Sequence, residues 1–84
     1  MSLKEMRKRE NYTLNELGLV TGINPKILSS YETDYRDING AKLSTLLTLC
    51  EALSCRLEDI LTGETLLKWE EYKIEKEREE DDGD

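Results

Sequence analysis

Few side chains in this sequence could do covalent chemistry. Cys50 and Cys55 are the only thiols, and no histidine stands anywhere in the 84 residues. Without an imidazole, no serine or cysteine has a plausible base beside it, and no glycine-rich loop is present to cradle a phosphate. An enzyme is therefore not expected. The two cysteines are not at the spacing of a zinc pair, so no metal or other cofactor is expected either. Their place near the end of a helical pattern leaves two readings: small apolar core residues in a reducing cytoplasm, or a redox pair. The acids from Glu79 to Asp82 could hold a cation loosely, but a solvated acidic tail is the simpler reading. What remains is a set suited to contact: Lys26, Ile27, Ser29 and Ser30, left facing outward where Leu28 and Tyr31 face inward.

The elements that must position this set lie between Thr13 and Glu32. Thr13 can cap a helix, and Glu16 can reach back to the Thr13 amide in a capping box. Leu14, Leu17, Gly18 and Thr21 recur at helical spacing. Gly22 ends that helix in the left-handed conformation that glycine adopts at no steric cost. Ile23 is an apolar pin in the turn. Asn24 caps the next helix, and Pro25 fits its first position, where no N–H is needed. Two short helices joined by so tight a turn fit a helix-turn-helix, whose second helix lies in the DNA major groove.

The flanking segments read as further helices. Ser2 to Glu5 is a second capping box, which starts a helix near Leu3 with Leu3 and Met6 on its core face. Lys4, Arg7, Lys8 and Arg9 form the only dense basic cluster, either a solvated helix face or a phosphate-contacting patch. Tyr12 should enter the core, Ile38 should plug it, and Asn39 is a candidate cap for the next helix. That helix runs from about Ala41 to Ser54, with Leu46, Leu49, Cys50 and Leu53 as its apolar stripe and Leu43 and Leu47 widening it. A fifth helix runs from about Leu57 to Thr62, although Arg56 is a poor cap. The tail reads helical from about Glu64 to Glu79, with a strand from Leu66 to Ile74 as the alternative. The last five residues have no reason to order in isolation.

The chain resembles the Cro and phage-repressor type of helix-turn-helix, the XRE family. The marks are Leu17-Gly18 (usually Leu-Ala), Thr21-Gly22-Ile23-Asn24 and Tyr31-Glu32, then Leu46-Leu47, Cys50-Glu51-Ala52-Leu53 and Leu57-Glu58-Asp59-Ile60-Leu61. The resemblance covers residues 3 to 62. It implies an all-α, five-helix repressor-like bundle over residues 1–63, to which residues 64–84 add a helical acidic extension. It also implies a sequence-specific DNA-binding regulator, a repressor, with Asn24, Pro25, Lys26, Ile27, Ser29 and Ser30 on the DNA-reading helix. Lys26 would bond guanine O6 or N7, Ile27 would touch a thymine methyl, and Ser30 would serve either base type. Arg36 matches a phosphate-contact position. Glu32 usually bonds back to the chain near the recognition helix, and Asp34 stands where glycine is common. Leu14 replaces a usual phosphate-binding Gln, and Leu19 and Val20 replace charged residues.

Charge sets a conflict. The formal net charge is −7, whereas a DNA-binding domain is expected to be basic. Residues 1–62 balance at −1 and residues 63–84 at −6, so the acidity sits in the tail. A second class of function therefore stays open: a protein-binding module or DNA mimic, with Leu14, Leu19, Val20 or the acidic tail as the contact. One domain of this size has a small core, and no Phe to fill it, so a second subunit would stabilise it. A homodimer is expected, through Leu61, Leu66, Trp69 and Tyr72; folding of the tail back onto its own subunit is the competing reading. The N-terminus does not read as a signal peptide, and no apolar run approaches the ~18 residues of a membrane span, so a cytoplasmic protein is expected.

Overall fold

The structure, a computed structural model, describes residues 2–82, with side chains through residue 78. The described residues hold six helices and no strand: α1 (Leu3–Arg9), α2 (Leu14–Thr21), α3 (Pro25–Glu32), α4 (Leu43–Leu53), α5 (Leu57–Ile60) and α6 (Gly63–Asp82). A single 3-10 turn, Ile38–Gly40, lies between α3 and α4. Helices α1 to α5 make the expected bundle. The segment Leu66 to Ile74 lies inside α6, so the extended alternative does not occur. The helix also continues through Asp82, past the point where order was expected to end; residues 83–84 lie outside the described residues.

The core draws Leu3 and Met6 from α1, Leu17 from α2, Leu28 from α3 and Ile38 from the 3-10 turn. Leu46, Leu49 and Leu53 come from α4, with Ile60 and Leu61 closing it below. Each such burial contributes on the order of 1.5–3 kcal/mol. Tyr12, Ile23, Tyr31 and Cys50 pack around its edge. Leu43 and Leu47, expected to widen the α4 stripe, are exposed. They sit at the flank of a helix whose inward arc is already filled by Leu46, Leu49 and Leu53.

The helix ends follow local chemistry, with three departures from expectation. Thr13 and Glu16 form the reciprocal box: Glu16 N–H donates to Thr13 Oγ1 (3.1 Å) and Thr13 N–H to Glu16 Oε1 (3.0 Å). At α1 only half a box exists, since Glu5 accepts from the Ser2 hydroxyl and not from its amide. At α5 the other half exists. A guanidinium accepts nothing, so Arg56 cannot cap, but the Asp59 carboxylate accepts the Arg56 N–H at 3.0 Å. Asn39 does not cap α4, which begins at Leu43 after Lys42 with no side-chain cap. It is drawn to Thr62 instead: Thr62 N–H donates to Asn39 Oδ1 (3.0 Å), and Asn39 Nδ2 donates to Thr62 Oγ1 (2.9 Å). This pair ties the α3–α4 loop to the joint between α5 and α6.

Candidate nucleic-acid interface

The turn between α2 and α3 is set by four neighbouring residues. Gly22 takes φ +75° and donates its N–H to the Gly18 carbonyl at 2.8 Å. The Thr21 hydroxyl donates to the Leu17 carbonyl and accepts the Ile23 N–H. Asn24 Oδ1 accepts the Lys26 N–H at 2.8 Å, and Pro25 opens α3. The crossing is close. A Cβ on Gly18 would stand 2.8 Å from the Ile23 carbonyl oxygen and 2.9 Å from Pro25 Cγ. Gly18 thus replaces the more usual Ala where a proline ring fills the space.

α3 is fixed at its far end by a largely buried ion pair that spacing alone does not reveal. Arg7 Nε lies 2.7 Å from Glu32 Oε2, and Arg7 Nη2 donates to Glu32 Oε1 at 3.0 Å. The remaining guanidinium nitrogen donates to the Tyr12 carbonyl at 2.8 Å. The two side chains are 12% and 6% exposed. The hydrogen bonds it donates to Glu32 raise the Arg7 pKa against the opposing effect of burial, so the guanidinium stays charged. Glu32 does bond back to the chain beside α3, and its partner is an α1 arginine. Arg9 is also occupied, donating to the Leu53 carbonyl at 3.1 Å. The basic cluster of α1 is therefore half structural, and of its four cations Lys4 and Lys8 have no ion pair among the described residues.

On the outer side of α3, Lys26 and Asn24 are exposed, while Pro25, Ile27, Ser29 and Ser30 are half-buried. Ser30 Oγ donates to the Ile27 carbonyl at 2.6 Å, so the hydroxyl can act further only as an acceptor. Asp34 takes the left-handed conformation at φ +62° and turns the chain out of α3. Arg36 is exposed, and its N–H donates to the Ser30 carbonyl at 3.0 Å, so its backbone is anchored to the end of α3. Neither Lys26 nor Arg36 has an ion pair among the described residues. Lys42 shares this state and stands in the same α3–α4 segment as Arg36. A helix starting at Ala41 would enclose Lys42, whereas α4 begins at Leu43 and leaves Lys42 exposed in the loop, two residues after Gly40.

The remaining sites fall elsewhere. Leu19 is 86% and Val20 56% exposed on α2, whereas Leu14 packs partly on the core. Leu61 is 5% exposed, and Leu66 and Trp69 pack against the same core. Trp69 Nε1 donates to Glu58 Oε2 (3.3 Å), and Lys73 Nζ lies 2.8 Å from Glu58 Oε1. Tyr72 stacks on Trp69 at 6.1 Å between centroids and stays 52% exposed. No cluster of three metal-binding side chains occurs among the described residues; those of Glu79 to Asp82 lie outside that set. No helix among the described residues is long and apolar enough to cross a membrane.

Residues 2–65 match the family model of the Cro/C1-type HTH DNA-binding domain. That span covers most of the chain, and α1 to α5 supply the helices such a domain requires. The chain belongs to the Cro/C1-type helix-turn-helix family of DNA-binding domains. No curated protein and no solved structure matches it.

Proposed function

We propose that the protein is a sequence-specific transcriptional repressor of the cytoplasm that reads DNA by laying α3 in the major groove. The observation that carries this is the form of α3. Its inner side is locked by Leu28, Tyr31 and the Arg7–Glu32 pair, while Lys26 and Ser29 lie on the opposite side without an ion pair, and the Ser30 hydroxyl beside them bonds only the Ile27 carbonyl of its own helix. A rigid helix with outward donors and acceptors is what base-edge readout needs. Asn24, Pro25 and Ile27 complete the reading edge, and Arg36, joined by Lys42, contacts phosphate. Repression then follows from occupancy of a site that transcription requires, without catalysis. Residues 64–84 are an appended element and not part of the reading domain.

We further propose a homodimer, because a two-fold pair places reading helices about 34 Å apart on successive turns. Leu66 and Trp69 serve their own subunit first, so the contact uses what α6 leaves outward, Tyr72 with Leu67 and Ile74. Selection from a random duplex pool tests the whole reading. A palindrome with half-sites one helical turn apart is the expected product, with an affinity that falls as salt rises. No enrichment, together with salt-independent binding to random duplex, rejects it. The exposure of Leu19 and Val20 favours a second reading, in which a protein partner docks on α2. Leu19→Ser with Val20→Ser leaves DNA affinity unchanged if that face serves a protein.

A further inference from the structure

The C-terminus of α4 closes as a Schellman motif. Cys55 N–H donates to the Cys50 carbonyl at 3.0 Å, Ser54 N–H donates to the Glu51 carbonyl at 3.4 Å, and Ser54 sits between them at φ +50°. This motif brings the side chains three positions before and two positions after the helix end into contact, normally as an apolar pair. Here both positions carry cysteine. The two thiols are free, interact with each other and are half-buried at the rim of the core. The backbone bond between the two residues holds their main chains close, as a disulfide between them requires.

We propose that Cys50 and Cys55 are a reversible modification site, at which a low-molecular-weight disulfide of the glutathione class oxidises the pair to an intrachain disulfide. The Cys50 thiolate attacks one sulfur of the oxidised tripeptide and releases one tripeptide thiol. The Cys55 thiolate then attacks the Cys50 sulfur of the mixed disulfide and releases the second. Two electrons and two protons pass from the protein to the oxidant. Burial raises both thiol pKa values, that of Cys55 to about 12, so the thiolate fraction is small and the exchange is slow at neutral pH. The product would link the end of α4 to the start of α5 and fix the joint through which α6 is hung on the body.

The test uses the full reduced chain, incubated with oxidised glutathione at mildly alkaline pH, quenched with acid and read by intact mass and peptide mapping. The expected product has lost two hydrogens, carries no adduct, links residue 50 to residue 55 and returns to two thiols with dithiothreitol. Cys55→Ser should instead stop at one glutathione adduct on Cys50. Wild type that ends with two adducts, or as a cross-linked dimer, overturns the proposal. The same reaction in urea separates the fold from mere closeness in sequence. The folded chain should give a ratio of closed product to mixed disulfide at least about tenfold higher, reflecting a higher effective concentration. An equal ratio overturns the assignment to the Schellman geometry.

Discussion

Arg7 makes three hydrogen bonds, two to Glu32 and one to the Tyr12 carbonyl, and so joins α1, the α1–α2 turn and α3. Removing one partner of such a pair leaves the other charged and enclosed. Arg7→Ala should therefore cost about 3–5 kcal/mol in a urea titration. A loss under ~1 kcal/mol, the range of a solvated pair, would refute the clamp. On the outer side of α3 the expected effects are on binding. Lys26→Ala should cost about 1–3 kcal/mol and relax preference at one base pair, whereas Arg36→Ala should weaken all sequences alike. Two variants that bind as wild type, measured at one salt concentration, would remove both residues from the interface.

At the scale of the element, the α2–α3 crossing depends on what Gly18 lacks. Alanine at a helix interior ordinarily gains roughly 1 kcal/mol over glycine. Here the added methyl meets a carbonyl oxygen and a proline ring, so Gly18→Ala should destabilise by about 1–3 kcal/mol. Pro25→Ala should recover part of that loss in the double variant, because it removes the ring but not the Ile23 carbonyl. Strict additivity of the two changes would mean that they do not share the space. The α5–α6 joint has its own pH dependence. The hydrogen bond from Lys73 holds the Glu58 carboxyl below its ordinary range, with a smaller contribution from Trp69 and with burial opposing. The native state then binds this proton less readily than the unfolded chain. The contribution is fully present above the ordinary glutamate value of ~4.3 and is lost as pH falls through the depressed native one. Trp69 is the sole tryptophan, so its emission reports the joint directly. Glu58→Gln should flatten the acid limb of that signal, and an unaltered limb would assign it to another group.

Across the whole molecule, the long axis of 48 Å against 22 and 20 Å reflects α6, which spans about 30 Å as a 20-residue helix. Its acidic end is separate from a body of nearly neutral charge, so it can act on ligand affinity through space. Truncation after Ile74 removes seven acids and two cations while keeping Leu66 of α6 and the bonds of Trp69 and Lys73 to Glu58 of α5. If the proposed DNA binding holds, at low salt the shortened protein should bind random duplex more tightly, and the gain should shrink as the Debye length falls to about 10 Å near 0.1 M. Equal affinity at low salt would show that the tail does not compete for the basic surface.

Local chemistry made much of this fold legible in the amino-acid order. Thr13 with Glu16, Gly22, and Asn24 with Pro25 each fix a helix end within a few residues, so their geometry depends on no distant partner. Leu46, Leu49 and Leu53 of α4 reveal their inward side by spacing alone, whereas Leu43 and Leu47, which spacing adds to that side, are exposed. Three features needed the tertiary structure because they join segments far apart in the chain. Arg7 reads as one of four cations on a helix until Glu32, 25 residues on, takes it out of the basic surface. Asn39 reads as a cap until Thr62 draws it away. Trp69 reads as a subunit contact, with an internal one as the alternative, and its contacts with Glu58 and the core appear only in the packed structure. Spacing along a helix says which side a residue occupies, whereas what stands opposite that side is decided only when the helices pack.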